Sequence, residues 1–513
     1  MSYRAHSAPT AMLFGYDPVQ DLPSNHLAWL VERVVEEALQ HGALPVQKGQ
    51  PAFDPRLCAK VLLYGYATGI RSSRQLERHC RENLPFLLLT RGDTPSYRTL
   101  CYFRVDHPKL IEEVWVSLFG VAEQLGMQRL GRIVVDSSKF RADASAESVI
   151  KAEEYSVFRQ QLQLILQEAQ DIDASEDQNP PGATTLDTEV KPDQMREIIR
   201  AIRKRIAAEK NNAPTSAEDE IAPLPSAALG PRMLPRIKAA LDTLEQAEQE
   251  GLKHACLTDP DARMMGEGRD KPIKECHSFE VAVDVDAALL VAAGVTQQSD
   301  NSRLEPLCDA AQLNEPCAIV SVDADSGYYK GEGIARLQEQ GIDTCVPDAS
   351  TAKRMRCSQI GEGTLSEHNS LVALRYDADR DVYVCGADKV LSVVQTRKQG
   401  GRDVKIYRSE TPCTGCALAA ACLRKATSKY RETSRAVDAD NVVDAALARF
   451  EDPFHRQRYH NRGKVVETVF AFVRHVLGFS RWTLRTKERV SAEGTLIQSA
   501  YQFRKVYCAW SEA

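Results

Sequence analysis

Residues 318–329 read AIVSVDADSGYY. An apolar run (Ala318, Ile319, Val320, Val322) delivers Asp323 and Asp325, then breaks at Gly327 and two tyrosines. A short apolar run closed by a turn residue predicts a buried strand, and ligands of open α/β sheets gather outside the carboxyl ends of strands. Asp323 and Asp325 are therefore expected at a strand tip, at least one of them facing a site. Upstream, GRIVVDSSKF (131–140) is a second β-rich run and presents Asp136. Alone, such an aspartate is more often a cap or turn residue than a catalyst. HSFEVAVDVD (277–286) and ALLVAAGVT (288–296) are spaced as a hairpin. A helix near 303–312 precedes the opening stretch, and GEGIARLQEQG (helix) and IDTCVP (strand) follow it. The order strand, insertion, strand, strand, helix, strand, helix, strand predicts a mixed α/β sheet. If the strands of Asp136 and Asp325 are neighbours, their carboxylates meet.

The chain has 513 residues, 43% apolar and 27% charged, as expected of a soluble protein of two or three domains. No run of 18 apolar residues occurs, and MSYRAHSAPTAM lacks the basic-then-apolar order of a signal peptide, so membrane spanning and secretion are not expected. Fourteen cysteines without an export signal read as thiols or metal ligands rather than disulfides. The net charge of −6 argues weakly against nucleic acid, but the charge is uneven. Residues 56–108 carry nine Lys/Arg against four Asp/Glu, and residues 449–489 ten against four. Local basic faces are what contact phosphates, although solvated surfaces account for them equally well.

Residues 1–126 are read as a helical amino-terminal domain. LPSNHLAWLVERVVEEALQHG stops at Gly42, and DPRLCAKVLLYGYATGI is a buried helix ended by Gly69. Ser72 and Gln75 have capping-box spacing. SYRTLCYFRV gives a further short helix, and 110–126 another. Short helices with tight turns bearing Arg74, Arg98 and Arg104 suit a helix-turn-helix style DNA binder, and a plain helical bundle looks the same. Residues 146–255 read as a helical insertion, with helices near 150–170, 193–210 and 231–250 joined by DASEDQNPPGATT and NNAPTSAEDEIAPLP. Its basic helix, MREIIRAIRKRIAAEK, is either a DNA or subunit contact or a solvated face.

Residues 350–449 form a second insertion. LVALRYDADRDVYVCG predicts a β-hairpin, and CTGCALAAAC supplies Cys413, Cys416 and Cys422, which with Cys385 make four thiols. Either they hold a structural Zn²⁺ or they are buried free thiols, since the Cys416–Cys422 spacing is unlike common zinc ribbons. In HRQRYHNRGKVVETVFAFVRHVLGFSRWTLRTKERV, Val466, Val469, Phe470, Val473 and Leu477 mark an apolar helix face. Lys464, Glu467, Ala471 and Arg474 align on another. The core is thus assigned to 127–145, 256–349 and 450–513.

Two strand-tip aspartates and a helical glutamate suit a pair of Mg²⁺ (or Mn²⁺) ions, which prefer carboxylate oxygens and keep several waters. Two such ions about 4 Å apart activate an attacking oxygen and stabilise a leaving one at phosphorus. Cations beside the glutamate would hold the phosphate backbone.

VVDSSKFRADAS, LTDPDARM, VDADSGYY and YHNRGKVVETVFAFVR resemble conserved blocks of bacterial insertion-sequence DDE transposases, whose catalytic core is RNase H-like. The chain is similar to the insertion sequence eleven-eighty-two group, and LLYGYATGIRSSRQLERHCRENLPFLLLTRGDTPSYRTLCYFR to its InsH-like amino-terminal domain. The resemblance places the metal-binding acids at Asp136, Asp325 (within Asp-x-Gly-Tyr, in preference to Asp323) and Glu467. It implies phosphate contacts from Tyr459, Arg462, Lys464 and Arg474. The related signature has three residues between Arg and Glu and ends in Lys, whereas this chain has four and ends in Arg. The activity implied is Mg²⁺-dependent cutting at the ends of a mobile element and transfer of the 3′-hydroxyl into target DNA. A homodimer or larger assembly on DNA and a bacterial cytoplasmic location are implied too. Alternatives are an RNase H-like nuclease that cuts without joining, and a non-catalytic DNA-binding regulator. Trp482 is either a wedge against a displaced base or, as its type favours, a packed residue.

Overall fold

The computed structural model describes residues 18–39, 53–127, 131–178, 194–210, 233–266, 272–298, 300–314, 318–349, 351–352, 355, 374–399, 402–423, 428–436 and 448–512. Gly42 and most of the two linkers in the helical insertion lie outside them.

The amino-terminal region is helical: α1 (Pro18–Asp21), α2 (Leu27–Ala38), α3 (Pro55–Ala67), α4 (Ser73–Glu82), α5 (Leu84–Thr90), α6 (Tyr97–Asp106) and α7 (Pro108–Gln124). Helix α3 starts where Asp54 accepts the Arg56 N–H and Pro55 fills the first turn, a position that needs no amide donor. It is buried on nearly every side. The expected capping box at Ser72 does not form: its side chain makes no cap bond, and α4 is held instead by packing. A Cβ on Gly65 would lie 2.3 Å from Leu76 Cδ2, so glycine there lets α3 and α4 touch.

A six-stranded mixed sheet follows, built from β1 (Arg132–Arg141), β4 (Arg263–Met265), β5 (Lys274–Asp284), β6 (Leu290–Thr296), β7 (Ser321–Ala324) and β8 (Asp343–Cys345). Its order is β4-β5-β1-β7-β8, with β6 also pairing β5. β1 runs antiparallel to β5 and parallel to β7, which runs parallel to β8. The strands of Asp136 and Asp325 are therefore neighbours, the condition under which their carboxylates meet. Helices α11 (Leu304–Asn314) and α12 (Gly331–Glu339) pack with Ile133, Val135 and Val322 on one face. The other face carries Val134, Phe140, Phe279 and Val281, beneath α14 (Pro453–Ala471) and α15 (Lys487–Trp510).

The helical insertion packs α8 (Tyr155–Gln178), α9 (Gln194–Lys210) and α10 (Met233–Gln249) around their own apolar cluster, beside a two-stranded ribbon of β2 (Val149–Lys151) and β3 (His254–Cys256). The arginines of α9 face the insertion itself: Arg200 pairs with Glu147 at 2.8 Å, and Arg203 donates to the Val149 carbonyl. The second insertion is larger in β-structure than the expected hairpin. It is a five-stranded antiparallel sheet, β13-β12-β11-β10-β9, in which β9 (Arg375–Asp377) and β10 (Val382–Val384) are the foreseen pair. β11 (Val390–Gln399), β12 (Arg402–Ser409) and β13 (Glu432–Ala436) extend it, and a short α13 (Ala419–Cys422) lies in the loop.

Candidate active site

Helix α14 lies across the ends of β1 and β7, and its side chains match the period-two spacing of the strand beneath. Asp323 is fully buried in β7. Arg458 Nε donates to it at 2.8 Å, and Arg132 Nε from β1 donates at the same distance. Arg458 also bridges to Asp343 of β8. A buried carboxylate must be paired, and Asp323 spends both oxygens on two guanidinium groups, so it is a clamp between sheet and helix.

Just past the end of β7, Asp325 is half exposed. Its Oδ1 accepts from the Ser326 N–H and from the Tyr459 hydroxyl at 3.1 Å. Arg462, one turn beyond Arg458, places Nη2 3.5 Å from Asp325 and Nη1 3.6 Å from Asp136. Its guanidinium stacks over the Tyr459 ring at 4.7 Å. One cation therefore joins the aspartates of two neighbouring strands. Burial pushes Asp136 up to about 6; Arg462 and the Ser137 N–H draw it down, while Asp325 and Asp300 raise it. On the opposite face of β1, Lys139 is bonded to Ser137, Ser278 and Asp300, which fixes the strand end.

Glu467 stands on α14, exposed, with its carboxylate folded back over the preceding turn: Oε1 is 3.4 Å from where a Gly463 Cβ would lie. Among the described residues, no group of three or more His, Cys, Asp or Glu side chains is drawn close enough to hold a metal ion. The structure thus brings Asp136 and Asp325 together around Arg462 and leaves Glu467 on the same helix, outside that pair.

The cationic stripe expected from Lys464 through Arg474 is interrupted. Residues Phe472–Val476 form a π-turn, which shifts the helical phase. Arg474 is carried to β1, where Nη2 donates to Ser138 Oγ at 2.7 Å and the guanidinium covers the Phe140 ring. Lys464 is exposed. Arg74 and Arg98 are exposed and flank the Tyr97 ring from 5.2 and 5.8 Å. Arg104 is a correction: it shares the inward stripe of Leu100 and Phe103, is buried, and donates to the Tyr66 hydroxyl, so it does not face DNA. Trp482 is likewise fully buried, against Phe140, Phe279 and Phe479; it is a packing residue and has no access to a base.

The four thiols lie around one corner of the second sheet, near enough to influence one another but not drawn together as a metal site. Cys385 follows β10; the Lys389 ammonium donates to the Pro412 carbonyl, and the Glu410 N–H to Val390, laying the 410–416 loop beside it. Cys413 Sγ is 3.4 Å from Ser409 Oγ, and Arg431 reaches the Cys422 carbonyl. Burial pushes the Cys422 thiol up; Arg431 opposes this, and Cys385, Cys416 and Cys413 add to it.

The sequence did not single out Arg132, Arg458, Asp343, Lys139 or Asp300. One signal was available: an aspartate inside an apolar strand needs a buried cationic partner, and HRQRYHNRG offers Arg458 one helical turn before Arg462.

Fold and site define a mixed-sheet α/β protein with an acidic, cation-holding site at the ends of two parallel strands. Residues 17–106 match the family model described as Transposase domain (DUF772), and residues 384–507 the one described as Transposase DDE domain. These two matched stretches support reading the chain as an insertion-sequence DDE transposase. The second match spans the cysteine corner and α14 with Glu467. No curated protein and no solved structure matches the chain.

Proposed function

We propose that the protein cuts the ends of an insertion sequence and joins the freed 3′-hydroxyl to target DNA, in one site built from Asp136, Asp325 and Glu467 on an RNase H-like core. The observation that carries this is the sharing of one guanidinium by Asp136 and Asp325 at 3.6 and 3.5 Å. Two carboxylates from parallel neighbouring strands already converge on one cation, which suits hard divalent ions. The sheet order, with three antiparallel strands followed by two parallel ones, supports the RNase H-like reading.

Asp136 and Asp325 would hold Mg²⁺ or Mn²⁺, with Glu467 swinging from its turn of α14 to complete the set. A bound pair of ions supplies activation of the attacking oxygen and stabilisation of the leaving one. Arg462, which joins the two aspartates in the structure, would give up that position to the ions and turn its guanidinium, with Tyr459 beside it, towards phosphate. Asp323 keeps α14 seated through Arg458 while this happens. Arg474 and Lys464 hold the DNA backbone, and Arg74 and Arg98 extend the contact onto the amino-terminal helices. Cys385, Cys413, Cys416 and Cys422, once drawn closer together, would supply the donors of a structural Zn²⁺, which would staple a sheet whose buried apolar residues include only Val382, Leu391, Tyr407 and Cys413 among those described.

The test is incubation of purified protein and Mg²⁺ with a duplex ending in the element's own terminus, and separately with a pre-cut 3′-hydroxyl end plus target DNA. Nicked ends and joined products are expected. Cutting without joining would leave a nuclease; tight binding without either would leave a regulator.

A further inference from the structure

The carboxyl-terminal half of β1 borders a cleft of about 250 Å³ that the acidic site does not use. Arg141, Lys274 and Arg474 line it, together with Phe140, Met265 and Pro272. Arg141 faces Cys276 in the β1–β5 register, and Lys274 lies two residues from Cys276 on β5, so the two cations occupy a diagonal cross-strand position. Both are exposed, and among the described residues neither has an ion-pair partner. Among the described residues lining the cleft, none carries a carboxylate. Like charges held at that spacing repel, and a second guanidinium, Arg474, is fixed at the same wall by Ser138. Such an arrangement attracts an anion.

The position of the cleft says which anion. From Asp136 to Arg141 is five residues along one strand, about 16 Å at 3.3 Å per residue. Ser138 with Arg474 stands between them. Asp136 and Ser138 share one face of β1 with Arg474, and Arg141, on the alternate face at the end of the strand, meets Arg474 around the cleft, so the acidic pair, Arg474 and the Arg141–Lys274 pair follow one another along β1. That length matches about five nucleotides of a duplex strand at 3.4 Å each. The apolar wall of Met265 and Pro272 gives sugar and base edges a surface while the cations take phosphate, and Ile273, between Pro272 and Lys274, is well exposed at the rim.

We infer that this cleft is a backbone-phosphate subsite, in which Arg141 and Lys274 grip the DNA strand about five nucleotides from the bond held at Asp136 and Asp325. The inference rests on the transposase reading above.

Its test is fluorescence anisotropy with a labelled 40-base-pair duplex carrying the element's end, in EDTA, across a salt series. The R141A/K274A double variant is expected to bind about tenfold more weakly at 150 mM salt, with its slope of log K against log salt shallower by about 2. R141K/K274R is expected to keep the wild-type slope. Both residues are exposed, so circular dichroism should match wild type. An unchanged slope and affinity in R141A/K274A, with wild-type protein still cutting DNA, overturns the subsite alone. Wild-type protein that neither binds nor cuts the duplex overturns both readings.

Discussion

At the scale of single residues, Asp136 is held in a state that disfavours its own charge. Its folded value of about 6 stands above the ordinary 3.8, chiefly through burial. The folded protein therefore holds this proton more tightly than the unfolded chain. The stability it contributes is fully present below pH 3.8 and lost as pH rises through about 6. Asp136→Asn mimics the protonated form at every pH. In EDTA at pH 8 it should be more stable than wild type by about 3 kcal/mol, the gap closing towards pH 4, as read by denaturant unfolding. Mg²⁺ should stabilise wild type and not the variant, and that gain should fade below pH 6 as protons compete for the carboxylate. A wild type as stable as the variant at pH 8 would show that the site stores no such cost. The two aspartates of the opening stretch separate by the same logic. Asp325→Ala should abolish cutting with folding unchanged, because Asp325 is half exposed. Asp323→Ala strands the buried ends of Arg132 and Arg458 and should cost about 3–5 kcal/mol. Cutting that survives Asp325→Ala in a stable protein would reassign the ligand.

At the scale of elements, the second insertion gives the sharpest expectation. Protein purified without chelator should carry about one zinc per chain by elemental analysis, and Cys413→Ser, at the most buried thiol, should release it and expose the corner to protease. A metal-free protein with four titratable thiols would leave them as packing residues. The sequence showed part of this element and not the rest. The β9–β10 hairpin was visible because Asp379 and Arg380 interrupt two apolar runs. β11 and β12 were missed although Gly400 and Gly401 separate alternating runs, a hairpin signal in itself. Their exposed positions are so rich in Lys, Arg and Gln that the apolar alternation of a strand is faint there. On α14 the apolar face predicted from Val466 to Leu477 is buried throughout, but the π-turn of Phe472–Val476 carries Arg474 off the polar stripe to β1. Periodicity carries no information about where a helix widens by one residue. Strand order was legible because alternation, hairpin spacing and crossover helices each constrain it. The meeting of Asp136 with Asp325 followed from that order. The interposed Arg462 did not, because it depends on how a distant helix seats.

At the scale of the whole molecule, α15 joins regions that the sequence divides. LTDPDARM, far upstream, caps its start: Asp259 accepts the Thr486 N–H and Asp261 the Lys487 N–H. Asp259 also binds His277 of β5 at 2.8 Å. Buried Glu493 accepts the N–H groups of Thr483 and Leu484, and Gln502 accepts the Leu290 N–H of β6. Apolar residues of α15 belong to one cluster with α2, α3 and α7 on one side and the sheet on the other. A helix buried on opposite faces has no solvent side to spare, so the amino-terminal helices and the catalytic sheet share a core through it. Arg71 reinforces the union, donating to the Gly478 carbonyl just beyond the π-turn. DNA held by Arg74 and Arg98 would therefore be rigidly placed relative to Asp136. The consequence is testable by dissection. Residues 1–127 expressed alone should bind the dye ANS, resist neither trypsin nor mild heat, and unfold without a cooperative transition, because α15 supplies the missing wall of their core. The same segment fused through a flexible linker to residues 480–513 should recover a cooperative melt. A native-like melt of 1–127 without that helix would show the amino-terminal region to be an independent domain, and its orientation towards the acidic site would then have to be set by DNA rather than by the fold.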